Sequence, residues 1–212
     1  MIPDRSSTDP PESVRSALEE VAGRYSELAQ DLRADLSAAG GAEEVLELAE
    51  RSTLEMLAYL PLSPVYCPFC TLHRPGAEDC EGCKYAARYG RCTEAGTVYD
   101  QALKAHYDLV RAVEDLRRSG FQAFPLIPEK EVRVALGEGA DRVIDLAGRF
   151  QQRVREARTS EEVMTLKTEF MADLVRNLPV EKVCRLCGFE HRDLFEAKNG
   201  ALLGLSRHWA AA

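Results

Sequence analysis

Apolar residues recur along most of this chain at helical spacing. Val14, Leu18, Val21, Tyr25, Leu28, Leu32 and Leu36 follow one another at steps of three and four, which predicts an amphipathic helix close to a heptad seam. Asp9, Pro10 and Glu12 read as its start, with Asp9 as cap and Pro10 in the first helical position. Gly40-Gly41 ends it. A second helix is expected from about Ala42 to Leu60, with Val45, Ala49, Ser52, Met56 and Leu60 on one face and Leu46, Leu54 and Leu57 beside it. So short a turn predicts an antiparallel hairpin of the two.

Periodicity then stops. Residues 61–96 accumulate Pro, Gly and Cys, and a third helix is expected from Thr97, with Tyr99, Leu103, His106, Val110, Val113 and Leu116 on its apolar face. Phe121 to Pro128 reads as a linker. Beyond it Val132, Leu136, Ala140, Val143, Ala147, Phe150, Val154 and Ala157 again keep helical steps. Gly137 and Gly139 weaken the middle, and Val132, Val134 and Leu136 also alternate like a short strand, but the longer pattern favours helix. Thr159-Ser160-Glu161-Glu162 is a capping box opening a helix with Val163, Leu166, Phe170, Leu174 and Leu178. The expected fold is all-α, a bundle of about five helices. It divides into an N-terminal hairpin (1–60), a cysteine-rich module between helices two and three (61–96), a bundle (97–178) and a small C-terminal knuckle with a helix (179–212), together one compact unit.

Composition changes this picture at one point, the seven cysteines among 212 residues. Cys67-Pro-Phe-Cys70 and Cys80-Glu-Gly-Cys83 are two C-x-x-C pairs nine residues apart. Each can wrap two thiolates around one metal, and together they supply the four soft ligands that tetrahedral zinc prefers. Cys92 has two readings, a competitor for one of those four positions or an ordinary buried cysteine. A second signal is Cys184-Arg-Leu-Cys187-Gly188, where His191 or His208 is the candidate to complete a C-terminal site. Seven cysteines and one histidine make eight ligands, which would close two tetrahedra if Cys92 joined the C-terminal pair. A Cys2His2 finger is not matched there, because the interval from Cys187 to His208 is too long and no second histidine follows. An iron–sulfur cluster is the secondary metal reading, although the C-x2-C-x2-C run of bacterial ferredoxins is absent. A thioredoxin-type redox pair lacks its βαβ setting.

Other chemistry is sparse. No P-loop, G-x-G-x-x-G, H-E-x-x-H or G-x-S-x-G is present. His106 lies on an apolar stripe and reads as a core or interface residue, while His73 lacks an evident partner. The formal net charge is -8, and residues 1–60 carry all of that excess with 5 basic and 13 acidic groups. That disfavours a nucleic-acid partner, although Lys84, Arg88 and Arg91 with Tyr85 and Tyr89 form a possible basic edge, offset by Glu78, Asp79 and Glu81. The first residues contain no apolar stretch of signal-peptide type, and prolines break the uncharged segment from Met56 to His73, so no membrane association and a cytoplasmic location are expected. The expected role is a zinc-binding adaptor or accessory subunit with no catalytic function, acting through a protein partner. Leu60, Leu62, Val65, Tyr66 and Phe69 form the candidate contact, unless they are buried against the bundle.

Overall fold

A computed structural model describes residues 9–73, 80, 83–92, 94–119, 128–187, 198–201 and 203–204. The elements among them are all helical, with no strand: α1 (Glu12–Ala38), α2 (Ala42–Ala58), α3 (Pro68–His73), α4 (Lys84–Tyr89), α5 (Val98–Ser119), α6 (Glu129–Glu156), α7 (Ser160–Val175) and α8 (Pro179–Cys187). A single 3-10 turn, Pro64–Tyr66, leads into α3. The expected all-α class is therefore observed. The count exceeds five because the cysteine-rich stretch contains short helices of its own and the chain beyond Pro179 re-enters helix. Helices of six residues, such as α3 and α4, are too short for an apolar stripe to announce them.

The seven residues of the α1 stripe are all buried. The helix starts later than its capping signals suggested, at Glu12, with Pro11 in the cap position and no side-chain capping bond. Its most extensive partner is α6, antiparallel to it, and α2 lies antiparallel beside it. The C-terminal carbonyls of α1 and α6 are capped reciprocally. Arg15 near the start of α1 donates to Val154 O at 2.9 Å and Ala157 O at 2.5 Å at the end of α6. Arg133 near the start of α6 donates to Leu36 O and, at 2.8 Å, to Ala39 O at the end of α1. A cation on carbonyls that lack intrahelical donors both satisfies them and opposes the negative end of the helix dipole.

All eight apolar positions of the α6 stripe are buried, so the helical reading prevails over the strand. Gly139 is where α8 comes close: a Cβ there would stand 3.4 Å from Lys182 Cγ. Gly137 faces open space, so its missing side chain serves no contact. Gly137→Ala is therefore expected to stabilise the protein by about 0.5–1 kcal/mol through helix propensity and a less flexible unfolded chain. A thermal melt checks this, and a lowered midpoint would contradict it.

The capping box is formed: Glu162 N–H donates to Thr159 Oγ1 at 3.2 Å, and Thr159 N–H donates to Glu162 Oε2 at 3.3 Å. The helix it opens, α7, is buried on nearly every side, including Ser160, Lys167 and Thr168. Phe170 stacks on Phe150 of α6 with ring centroids 4.1 Å apart and meets Tyr25 of α1 edge-on at 5.6 Å. The Tyr25 hydroxyl donates to Met56 O of α2 at 2.7 Å, so one aromatic group ties four helices. Thr53 of α2 accepts from Val180 N–H at 2.9 Å, satisfying a first-turn donor of α8. The apolar face of α5 is rotated from the expected one: among its described side chains Ala102, Leu109 and Ala112 are buried along with the expected Val113, while Tyr99, Leu103 and Val110 are half-buried. Ala102 and Ala112 carry less apolar surface than the larger residues of the adjoining face, so the stripe does not announce them. No described helix is long and apolar enough to cross a membrane.

Candidate thiolate centre

Cys67 lies one residue before α3, and Pro68 occupies the first helical position, where its missing N–H is no loss. Cys67 O accepts from Thr71 N–H at 3.1 Å, so Cys67 holds the N-cap position and Cys70 the third helical one. Those two positions face each other, as in a capping box. The C-x-x-C spacing thereby sets two sulfurs side by side. Cys67 also receives backbone N–H groups of Phe69 and Cys70.

The second pair is built differently. Cys83 N–H donates to Cys80 O at 3.1 Å, closing a turn, and Cys83 then caps α4. That helix stops at Gly90, whose φ of +81° a side chain would resist and whose N–H returns to Ala86 O at 3.1 Å. The reversal carries Cys92 back toward the first pair. Thr97 holds the Cys92 carbonyl through a 3.0 Å hydroxyl bond.

The outcome is a hydrogen-bonded line of thiols, with Cys70 between Cys67 and Cys92. All three are thiols rather than disulfides. The bond from Cys70 lowers the Cys67 thiol to about 6 against the opposing effect of burial, with help from the Lys167 charge. The same neighbour lowers Cys92 to about 7. Cys70 itself is pushed up, first by Cys67 and then by Cys92. Cys70 has one proton to donate, so it serves one neighbour fully at a time. Cys67, Cys83 and Cys92 pack around Phe69 and Met164, both 2% exposed, together with Val98 and Tyr99. Among the described residues no group of three or more His, Cys, Asp and Glu side chains is arranged to hold a metal ion.

Lys167 of α7 is the residue that motif reading missed. It is 2% exposed, donates to Tyr66 O at 3.2 Å and interacts electrostatically with Cys67, Cys70 and Cys92. Burial pushes its ammonium down, and the three cysteines oppose that shift. A signal did exist: Lys167 falls in phase with Val163, Phe170 and Leu174 on an otherwise apolar stripe. Such a cation needs an anion or several good acceptors near it.

Cys80 is half-buried in the turn before α4. Cys184 lies within α8 and is buried in the main core, and Cys187 is the last residue of that helix, so the C-terminal C-x-x-C starts from helix rather than from a knuckle loop. Cys92 sits beside Cys70, whereas Cys184 belongs to the main core. His191 and His208 lie outside the described residues. Of the proposed apolar contact, Leu60, Leu62 and Phe69 are buried and Tyr66 is half-buried, which leaves Val65 as its exposed member.

A second buried polar group involves α5 and residues 198–201. Lys198 donates to Ala102 O at 2.6 Å, and burial lowers its ammonium to about 7. His106 is lowered to about 4, by burial first and then by the Lys198 charge. The unfolded histidine takes up its proton near pH 6.5 and the folded one only near 4. Acidification across that window therefore favours the unfolded chain, and the loss is complete below about 4. Denaturant titrations from pH 7 to 4 should show falling stability, and His106→Gln should flatten that slope. An unchanged slope in the variant would contradict the assignment.

No family model matches the chain, and neither the curated proteins nor the solved structures include a match to it.

Proposed function

We propose that the chain is a helical scaffold whose cysteine-rich segment is closed by one structural zinc ion, held by Cys67, Cys70, Cys92 and Cys83, and that it works by presenting a surface to a protein partner. The observation that carries this reading is the gathering of Cys67, Cys70 and Cys92 beside the buried cation Lys167. Four thiolates on a divalent metal leave two negative charges, one of which an adjacent ammonium offsets. Zn–S bonds of about 2.3 Å would draw the sulfurs of such a tetrahedron to about 3.8 Å from one another. Cys83 supplies the fourth thiol because it shares the Phe69–Met164 cluster with Cys67 and Cys92. A site with four protein ligands has no open position for substrate, which favours a structural role over a catalytic one.

This choice of ligands differs from the simplest sequence pairing, in which Cys80 completes the set. Zinc stoichiometry separates the two. Cys92→Ser is expected to lose the ion while Cys80→Ser keeps it; the reverse would restore the two-pair arrangement and overturn the assignment. The acidic N-terminal helices also support weak binding to random-sequence DNA or RNA at physiological salt.

A further inference from the structure

Positive charge gathers on the described surface where α6 and α8 meet. A cleft of about 570 Å³ is lined by Arg142 of α6, Arg176 and Asn177 of the turn before α8, and Lys182, Arg185 and Leu186 of α8. Four cations line it and no carboxylate does. Their acidic partners are close in sequence: Arg142 pairs with Glu138 at 3.1 Å, Arg176 with Asp173 at 3.2 Å, and Glu181 serves both Arg185 and Lys182, the latter at 4.0 Å. Three carboxylates thus face four cations, and Glu181, nearly buried, is shared between two of them. Burial lowers the Lys182 ammonium, and the charges of Arg142 and Arg185 oppose it further, although Glu181 and Glu138 act the other way. The excess is notable in a chain of net charge -8.

The arrangement has a structural cause. Gly139 lets α8 approach α6, with its α-carbon face against Lys182 Cγ and Asn177 O. Arg142 stands one helical turn further along α6 and so comes opposite Lys182 and Arg185. Arg142 and Glu138 are each more than half exposed, and pairs of that kind contribute little, so the guanidinium can exchange its carboxylate for a better acceptor. A phosphoryl group offers three oxygens to planar guanidinium forks and a point-charge ammonium, the combination found here. Leu186, 41% exposed, adds an apolar lip for an organic portion.

We propose that this cleft binds a small phosphate-bearing molecule, its phosphoryl group held between Arg142, Lys182 and Arg185. The proposal is independent of the thiolate centre. Calorimetric titration of the full chain with inorganic pyrophosphate and with glycerol phosphate tests it, in buffer matched with chloride for ionic strength. Saturable binding is expected. Arg142→Ala and Arg185→Ala should each weaken it about tenfold or more, as loss of a charge-assisted hydrogen bond does. Arg149→Ala, which removes an exposed α6 cation outside the cleft, should leave it unchanged. Arg142 is exposed, so its variant should melt with the wild type; Arg142→Lys, if that fails, retains charge and should bind with intermediate affinity. No saturable binding, or equal weakening by Arg149→Ala, overturns the proposal. Binding to vesicles carrying phosphatidate, or to a single-stranded oligonucleotide, without binding to either small phosphate also overturns it, since the ligand would then be a membrane surface or an extended polyanion.

Discussion

Replacing Cys70 by Ala should abolish binding of the proposed zinc ion and melt residues 61–96 while the long helices persist. Cys70 is the middle member of the thiol line and sits in the first turn of α3, so its loss removes one of the four proposed ligands and separates Cys67 from Cys92. A structural zinc supplies roughly 10 kcal/mol or more of local folding free energy, far above what the small Phe69–Met164 cluster can replace. Limited proteolysis should cut the variant within this segment, and a chelator should have the same effect on the wild type. Lys167 would then be left buried without its anions, so the disturbance should reach α7. A variant with native resistance to proteolysis would contradict this.

Phe170→Ala carries the second large effect. It removes the ring that stacks on Phe150 and meets Tyr25, at a residue 4% exposed. The rigid neighbours on α1 and α6 cannot collapse into the space, so the loss should be about 3–5 kcal/mol. For a chain of this size that lowers the melting midpoint by roughly 10 °C. Phe170→Leu should recover part of it. A change below about 1 kcal/mol for the alanine variant would mean that these helices do not meet around this ring.

The long helices were legible because each must bury one stripe against several neighbours. The α1 and α6 stripes needed no tertiary knowledge, and the Thr159–Glu162 cap marked the start of α7 to the residue, although that helix ends at Val175 and not at Leu178. The face of α5 was misread because its innermost positions include Ala102 and Ala112, which carry little hydrophobic weight. Within the cysteine-rich segment the chemistry was legible and the pairing was not. Both C-x-x-C motifs look alike in sequence, yet one brackets the start of α3 while the other straddles a turn that ends at α4. Whether Cys80 or Cys92 joins the first pair depends on the reversal at Gly90, a backbone event that spacing does not encode. Lys167 and the Arg142–Arg185 cleft arise from contacts between distant elements, so local patterns held only the hint of a lysine in phase with an apolar stripe.

The cysteines gathered beside Lys167 are proposed to hold a metal. Elemental analysis of the wild-type protein, purified without added metal or chelator, tests it most directly. About one zinc per chain and no stoichiometric iron are expected. A stably folded protein free of zinc would contradict it.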